Sequence, residues 1–465
     1  MHLVWLRNDL RLDDNPALFN ACQQAKPVRV IYCDAPQQWK LQDEAFCKLG
    51  FRNDAITNLA QGLAKLGIKL DIIKADTFTN LPKKIFAYCK QNNIDSLSFN
   101  DDVGIYENQR DIAVTSLLKK QGVKIYHYEA NLILPIESLR NQQGNYYKVF
   151  TPWHHKWIRL LNENTPQPLP PPSAIGPALA PSNLPKPPHL SLAADYRADL
   201  WPASEGSAHK RLQQFVNKRI ENYGTSRDFP AVNGTSRLSP YFACGLISPS
   251  RCVYNTIHAI VILGNEWRED QWLREIAWRE FYRYLMIGFP FLSMNKPFKP
   301  ETEKLQWENN PGAVAAWKDG QTGFPIVDAG MRQLAQIGWM HNRLRMITAS
   351  FFTKLLLEDW RKGERFFMQS LIDGDFPSNN GGWQWSASTG CDSSPWFRIF
   401  SPLRQSEKFD PQGNFIRNMI PELASIDTKQ IHNPPAALRE RLSYPAPIID
   451  YKYARQRALD RFRAL

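Results

Sequence analysis

The chain has 465 residues, 43% of them hydrophobic and 22% charged, which excludes a disordered polymer and suffices for two or three domains. Lys and Arg exceed Asp and Glu by 12, a balance that suits a polyanionic partner without identifying one. No apolar run reaches the roughly 18 residues of a membrane span, and 7 cysteines without a CxxC pair read as reduced thiols, with no disulfide frame and no metal site.

The first residues, MHLVWLRNDLRLDD, meet charge too early for a signal peptide, so a cytoplasmic protein is expected. Over residues 1–130 short β-branched runs alternate with longer amphipathic ones: HLVWL, VRVIYCD, a helical pattern from Glu44 to Leu66, LDIIKA, SLSFN and VKIYHYEAN. That alternation predicts an α/β domain with a parallel, doubly wound sheet. The loop after the first strand, RNDLRLDDNP, has no GxGxxG, so a dinucleotide cradled on glycines there is not supported.

Residues 131–208 read as an interdomain linker, rich in Pro, Ala and Ser from Thr165 to about Pro202. Beyond it strand signals vanish. Helical periods run from His209 to Tyr223, Asp270 to Met286, Thr322 to Ile337, His341 to Leu357 and Arg361 to Ile372. A larger all-α C-terminal domain over residues 209–465 is therefore expected. Ten of the 15 tryptophans lie between Trp267 and Trp396, which puts aromatic and cationic residues in one region.

Within DQWLREIAWREFYRYLM, Glu275, Trp278, Arg279 and Tyr282 fall at i, i+3, i+4 and i+7 and share a helix face. Such a face can stack on a planar ligand and hydrogen-bond its edge, and it equally fits an exposed amphipathic surface. In GWMHNRLRMITASFF, Asn342 and Met346 lie one turn apart beside Arg343, while Arg345 could meet Asp373 or Asp375 of the loop-like DGD. GTSRLSPYFACGLISP places Thr235, Ser236, Arg237 and Ser239 where a loop turns into a helix, an arrangement that holds a diphosphate or merely caps the helix. In NNGGWQW, Asn379 and Asn380 before two glycines suggest a tight turn. Trp383, Trp385, Trp360 and Trp307 read as core filler unless chemistry says otherwise.

Together with LRNDLRLDDNPAL, WREFYR and GFPIVDAGMRQLAQIGWMHNRLRMITASFFTK, these motifs resemble the photolyase/cryptochrome family, and within it the bacterial class I cyclobutane pyrimidine dimer photolyases. The resemblance runs nearly end to end, weakening in the Pro-rich linker and the last thirty residues.

It implies FAD, reduced and anionic when active, in the helical domain. The implied contacts are Tyr223, Thr235, Ser236, Arg237, Leu238, Ser239, Trp272, Trp339, Arg345, Asp373, Asp375 and Asn379. Arg345 would pair with Asp373 beside the ring, and Asn379 would face flavin N5. The implied substrate is a pyrimidine dimer flipped out of UV-damaged DNA. Glu275 would hydrogen-bond it, Trp278 and Trp385 would wall the pocket, and Asn342 and Met346 would line it. Arg227, Arg279, Arg343, Arg398 and Gln405 would contact DNA. Trp383, Trp360 and Trp307 match a tryptophan relay.

Phe376, Pro377 and Ser378 replace the usual Leu-Ala-Ala before Asn379, and Pro377 stiffens that turn. At the antenna site of the α/β domain Glu107 is kept, but Tyr106 and Met294 stand where Asn and Lys are expected, so a methenyltetrahydrofolate antenna rests on Glu107 alone. A monomer, nucleoid-associated when bound to DNA, is expected. The alternative is a cryptochrome-like blue-light sensor without repair activity. A (6-4) photolyase is disfavoured because HNRLRM lacks a His pair.

Overall fold

The computed structural model describes residues 1–180 and 190–465. Part of the Pro-rich stretch read as linker, residues 181–189, lies outside the described residues. The chain divides into two compact units. The first comprises Met1–Ile220, Ser236–Met294 and Ile372–Gly374, and the second Glu221–Thr235, Asn295–Leu371 and Asp375–Leu465.

The first unit holds the sheet. Strands β1 (His2–Leu6), β2 (Val28–Asp34), β3 (Lys69–Lys74), β4 (Ser96–Asn100) and β5 (Lys124–Tyr128) are all parallel, in the order β3-β2-β1-β4-β5. β1 and β4 are buried along their whole length, while β5, KIYHY, is largely exposed and carries polar side chains suited to an edge. Leu3, Trp5, Ile31 and Leu97 meet Ile85 of the Leu81–Gln91 helix and Val114 and Leu118 of the Ile105–Lys119 helix in one core. The helix expected from Glu44 runs Phe46–Lys65.

An order that reverses between β1 and β4 creates a switch point, where α/β folds usually bind nucleotides. Here the chain's own side chains fill it. Arg7 stacks 4.7 Å from the Trp5 and Phe99 rings and donates to Asp111 at 3.0 Å, Arg110 donates to Asp102 at 3.0 Å and Asp111 at 2.8 Å, and Asn100 binds Asp9 at 2.6 Å. The missing glycine fingerprint has a physical counterpart in this buried ion-pair network.

Beyond Tyr128 the regular elements among the described residues are all helices, apart from one isolated bridge, Glu308 with Glu358. The first unit adds the helices Phe150–Glu163, Glu205–Lys218, Pro249–Ile262 and Gln271–Gly288. Ser204 caps the second of these by accepting from Ser207 N at 3.1 Å, so it starts before His209 and ends before Tyr223.

The second unit packs helices around Trp317, Trp360, Trp383 and aliphatic neighbours. Three expectations are corrected there. The helix expected from Thr322 begins at Pro325, because Thr322 and Gly323 wrap around the Asp328 carboxylate instead. The helix expected to reach Leu357 is Asn342–Ser350 and then widens into a π-helical turn, Phe351–Leu355. NNGG is not a tight turn: it lies inside a helix, Phe376–Ala387, in which Pro377 occupies the first turn, where a missing N–H costs nothing.

Candidate functional site

In the first unit positive charge converges behind Ser236–Ser239. Arg237 has a left-handed backbone (φ 52°), and Ser236 Oγ accepts from Leu238 N at 3.4 Å just before the short Ser239–Ala243 helix. Burial, reinforced by Arg211 and Arg219, lowers the proton affinity of the Arg237 guanidinium. Burial and Arg211 do the same to Arg219. Mutually repelling, part-buried guanidinium groups are relieved by an anion, so this cluster fits a diphosphate. Arg211 and Arg219 were not legible in the sequence, because they sit on or beside an ordinary amphipathic helix with no motif around them.

Trp272 is buried, packs 4.9 Å from Phe215, and opens a helix whose cap, Asp270 Oδ1, accepts from Trp272 N at 3.0 Å and Leu273 N at 2.8 Å. Along Gln271–Gly288 the predicted face is present: Glu275, Trp278, Arg279 and Tyr282 are half-buried, while Ile276, Phe281 and Leu285 are core. Phe150 stacks on the Trp278 indole with centroids 3.6 Å apart and planes 5° from parallel, and His154 backs Phe150 at 5.1 Å. The indole is thereby held flat with one face covered. Phe150 is another missed residue; its only signal was the aromatic run YYKVFTPWHHKW in a stretch read as linker. Arg279 lies 5.3 Å from the Phe242 ring. Asp373, also in this unit, is buried, and the following Gly374 carbonyl accepts from Lys48 Nζ.

Glu280, on the same helix, is fully buried, with Oε1 accepting from Ile133 N at 3.1 Å and Leu134 N at 3.0 Å. Burial nonetheless pushes its carboxyl up to about 7. A carboxyl raised in the folded state keeps a proton that the unfolded chain has already released, so its contribution to stability falls as pH rises from the ordinary carboxylate range through about 7. Glu280→Gln is therefore expected to gain stability relative to the parent chain between about pH 5 and about pH 8. Denaturation midpoints of both proteins at the two pH values check this; a difference independent of pH contradicts it.

In the second unit Asn342 Nδ2 lies 3.9 Å from Met346 Sδ, which confirms that the two side chains share a face. Arg343 donates to Asp228 at 2.8 Å and lies 4.2 Å from the Phe409 ring, while Arg227 lies 5.5 Å from the Tyr223 ring. Arg345 Nε donates to Met340 O at 2.8 Å, and Trp339 is buried. Asn379 Nδ2 donates to Glu364 O at 2.9 Å and Oε1 at 3.2 Å, which leaves Asn379 Oδ1 as the acceptor end of the amide. Asp375 opens the same helix and accepts from Ser378 Oγ at 2.5 Å.

Trp383 and Trp360 are buried in one apolar cluster, against which half-buried Trp307 packs. The Trp383 ring fits because residue 363 is glycine: a Cβ there would come within 2.1 Å of it. Trp385, half-buried, is anchored by its carbonyl, which accepts from Ser394 N at 3.2 Å. Arg398 is exposed and Gln405 half-buried.

Among the described residues one group has metal-ligand proximity, Asp13, Glu205 and His209. Its carboxylates are already taken, Asp13 by Arg251 at 2.5 and 2.8 Å and Glu205 by Leu12 N at 2.9 Å and Asp13 N at 2.7 Å. No helix is long and apolar enough to cross a membrane among the described residues.

Residues 2–173 match the family described as DNA photolyase, and residues 272–464 match the FAD binding domain of DNA photolyase. The deoxyribodipyrimidine photo-lyase of Salmonella typhimurium is 41% identical over 472 residues, covering 100% of this chain and 98% of its own. That of Escherichia coli is 40% identical over 471 residues with the same coverage. Among solved structures, the class III photolyase of Agrobacterium tumefaciens aligns with a TM-score of 0.88 at 33% identity, covering 100% of this chain and 97% of that one.

Proposed function

The chain belongs to the DNA photolyase family, and from that membership we propose that it is a deoxyribodipyrimidine photo-lyase which uses light to split cyclobutane pyrimidine dimers in UV-damaged DNA. The observation that carries this is identity of about two residues in five with deoxyribodipyrimidine photo-lyases along the whole chain, through both family domains.

The cofactor is FAD, which when bound and reduced supplies the electron that light drives into the dimer and that returns once both cyclobutane bonds have broken. Thr235, Ser236, Arg237, Leu238 and Ser239 hold its phosphates, and the charge gathered on Arg237, Arg211 and Arg219 suits that anion. Tyr223, Trp272, Trp339, Arg345, Asp373 and Asp375 complete the binding set. Asn379 Oδ1, oriented by Glu364, is available to accept a hydrogen bond from a ring N–H. Glu107 is the residue that would hold a methenyltetrahydrofolate antenna; Gln42 occupies its carboxylate, and Tyr106 beside it is exposed.

A dimer is already badly stacked and paired, so it leaves the duplex at lower cost than a normal base pair. Trp278, flattened by Phe150, stacks against it, and Trp385, Asn342 and Met346 are its further contacts. Glu275 hydrogen-bonds the dimer as negative charge develops on it. Arg227, Arg279, Arg343, Arg398 and Gln405 position the strand. Arg343 would exchange its bond to Asp228 for a phosphate. Trp307, Trp360 and Trp383 pass an electron inward from the surface. The protein works in the cytoplasm as a monomer.

The test is direct: reduced protein under blue light is expected to restore thymine pairs in dimer-containing oligonucleotides. Absence of repair at full flavin occupancy overturns the reading in favour of a cryptochrome-like light sensor.

A further inference from the structure

A groove of about 740 Å³ in the second unit is bordered by Arg398, Arg404, Lys452 and Arg455, with no carboxylate among its lining residues. Two separate elements supply these cations. Arg398 precedes the Pro402–Phe409 helix that carries Arg404, and Lys452 and Arg455 lie on the Tyr451–Arg463 helix near the end of the chain. All four side chains are exposed, and none makes an ion pair among the described residues.

Several other cations of this unit are neutralised by a carboxylate. Arg361 binds Glu303 at 2.7 Å, Lys362 binds Glu358 at 2.8 Å, Arg461 binds Glu308 at 3.3 Å and Arg463 binds Asp460 at 3.4 Å. Asp450, the carboxylate next to the groove helix, accepts from Tyr453 N at 2.8 Å as its cap. Four unneutralised charges around one concavity repel one another, a cost that a polyanion removes. Lys452 and Arg455 are three residues apart, so they are neighbours on one helix face, about 5–6 Å apart. That spacing suits successive phosphates of a strand better than a single free anion. Half-buried Ile399, Phe400 and Tyr451 give the groove an apolar floor for sugars, with Gln405 and Gln456 offering amide N–H groups.

We infer that the Tyr451–Arg463 helix is part of the DNA interface, and that Arg404, Lys452 and Arg455 hold the sugar–phosphate backbone flanking the lesion as one continuous strip with Arg398 and Gln405. The inference rests on the photolyase reading and extends it to a helix for which the motifs implied no DNA contact. The strip contributes affinity without damage selectivity, because phosphates carry no information about the base.

The test measures binding of the FAD-loaded chain to a duplex with and without one thymine dimer over a range of salt concentrations. Lys452→Ala/Arg455→Ala is expected to weaken both complexes by the same factor and to flatten the slope of log affinity against log salt by about 2. The loss should disappear when the probe is cut down to the thymine-dimer dinucleotide. Lys83→Ala/Lys84→Ala, which removes equal charge from the exposed face of the Leu81–Gln91 helix, is the control and should leave the slope as it was. An unaltered slope in the Lys452/Arg455 pair overturns the inference, as does an equal flattening in the control. A weakened hold on polyglutamate with unaltered DNA binding would assign the groove to an acidic protein segment and overturn it too. If the parent chain does not prefer the dimer duplex at all, the photolyase reading itself fails, while the slope on undamaged duplex still decides the groove.

Discussion

Trp307→Phe is expected to abolish light-driven reduction of oxidised flavin in the purified protein while leaving repair by already reduced protein intact. The reason lies in burial. Trp383 and Trp360 are 2% and 1% exposed within a single apolar cluster, and neither can meet a reductant in water. Trp307 packs against that cluster and is half-buried, so it reaches both the core and the solvent. Trp317 lies 6.0 Å from Trp383, but it is fully buried, with its Nε1 donating to Thr348 O at 3.2 Å, and it offers no exit. Phenylalanine preserves most of the packing at position 307 and removes the easily oxidised indole. Photoreduction followed by flavin absorbance, beside dimer repair with chemically reduced protein, separates the two roles. If repair falls as far as photoreduction, Trp307 is not a relay residue.

Asp328→Ala is expected to destabilise the fold by about 3–5 kcal/mol, the range for breaking a buried polar network. Asp328 sits in the first turn of the Pro325–Ile337 helix with no exposed surface. Its Oδ1 accepts from Thr322 N at 2.7 Å and Thr322 Oγ1 at 2.5 Å; its Oδ2 accepts from Gly323 N at 3.0 Å and from the Tyr444 hydroxyl. Alanine strands all four donors, and each buried unsatisfied donor costs roughly 1–3 kcal/mol before the surroundings relax. Arg439 strengthens the same clasp by donating to Gly323 O at 2.9 Å and Pro445 O at 2.7 Å. The clasp therefore ties the C-terminal segment to the helix. Asp328→Asn keeps one acceptor oxygen and should fall between the two proteins. Denaturant midpoints decide the matter, and a loss below about 1 kcal/mol, the size of one ordinary hydrogen bond, would mean that the clasp relaxes on its own.

How far these sites were legible depended on how locally each was encoded. Alternating β-branched and amphipathic runs predicted the parallel sheet, because a doubly covered strand and a half-covered helix bury different periodicities of the same chain. The face Glu275, Trp278, Arg279 and Tyr282 was readable for the same reason, and it emerged half-buried with Ile276, Phe281 and Leu285 turned to the core. NNGGWQW misled. Glycines and asparagines favour turns locally, but Pro377 in the first turn, the Asn379 to Glu364 bonds and the space that Gly363 leaves for Trp383 draw the segment into a helix.

By itself, then, the sequence determined the α/β beginning, the helical remainder, the faces of the longer helices and, through motifs in register, the family. Only the tertiary structure decided which side chains from distant segments come together. Phe150 on Trp278 joins residues 128 positions apart. Arg211 and Arg219 beside Arg237, and Lys452 and Arg455 across from Arg398 and Arg404, are likewise invisible to any local window. The physical reason is that periodicity records whether a side chain is buried, and packing alone sets what it is buried against.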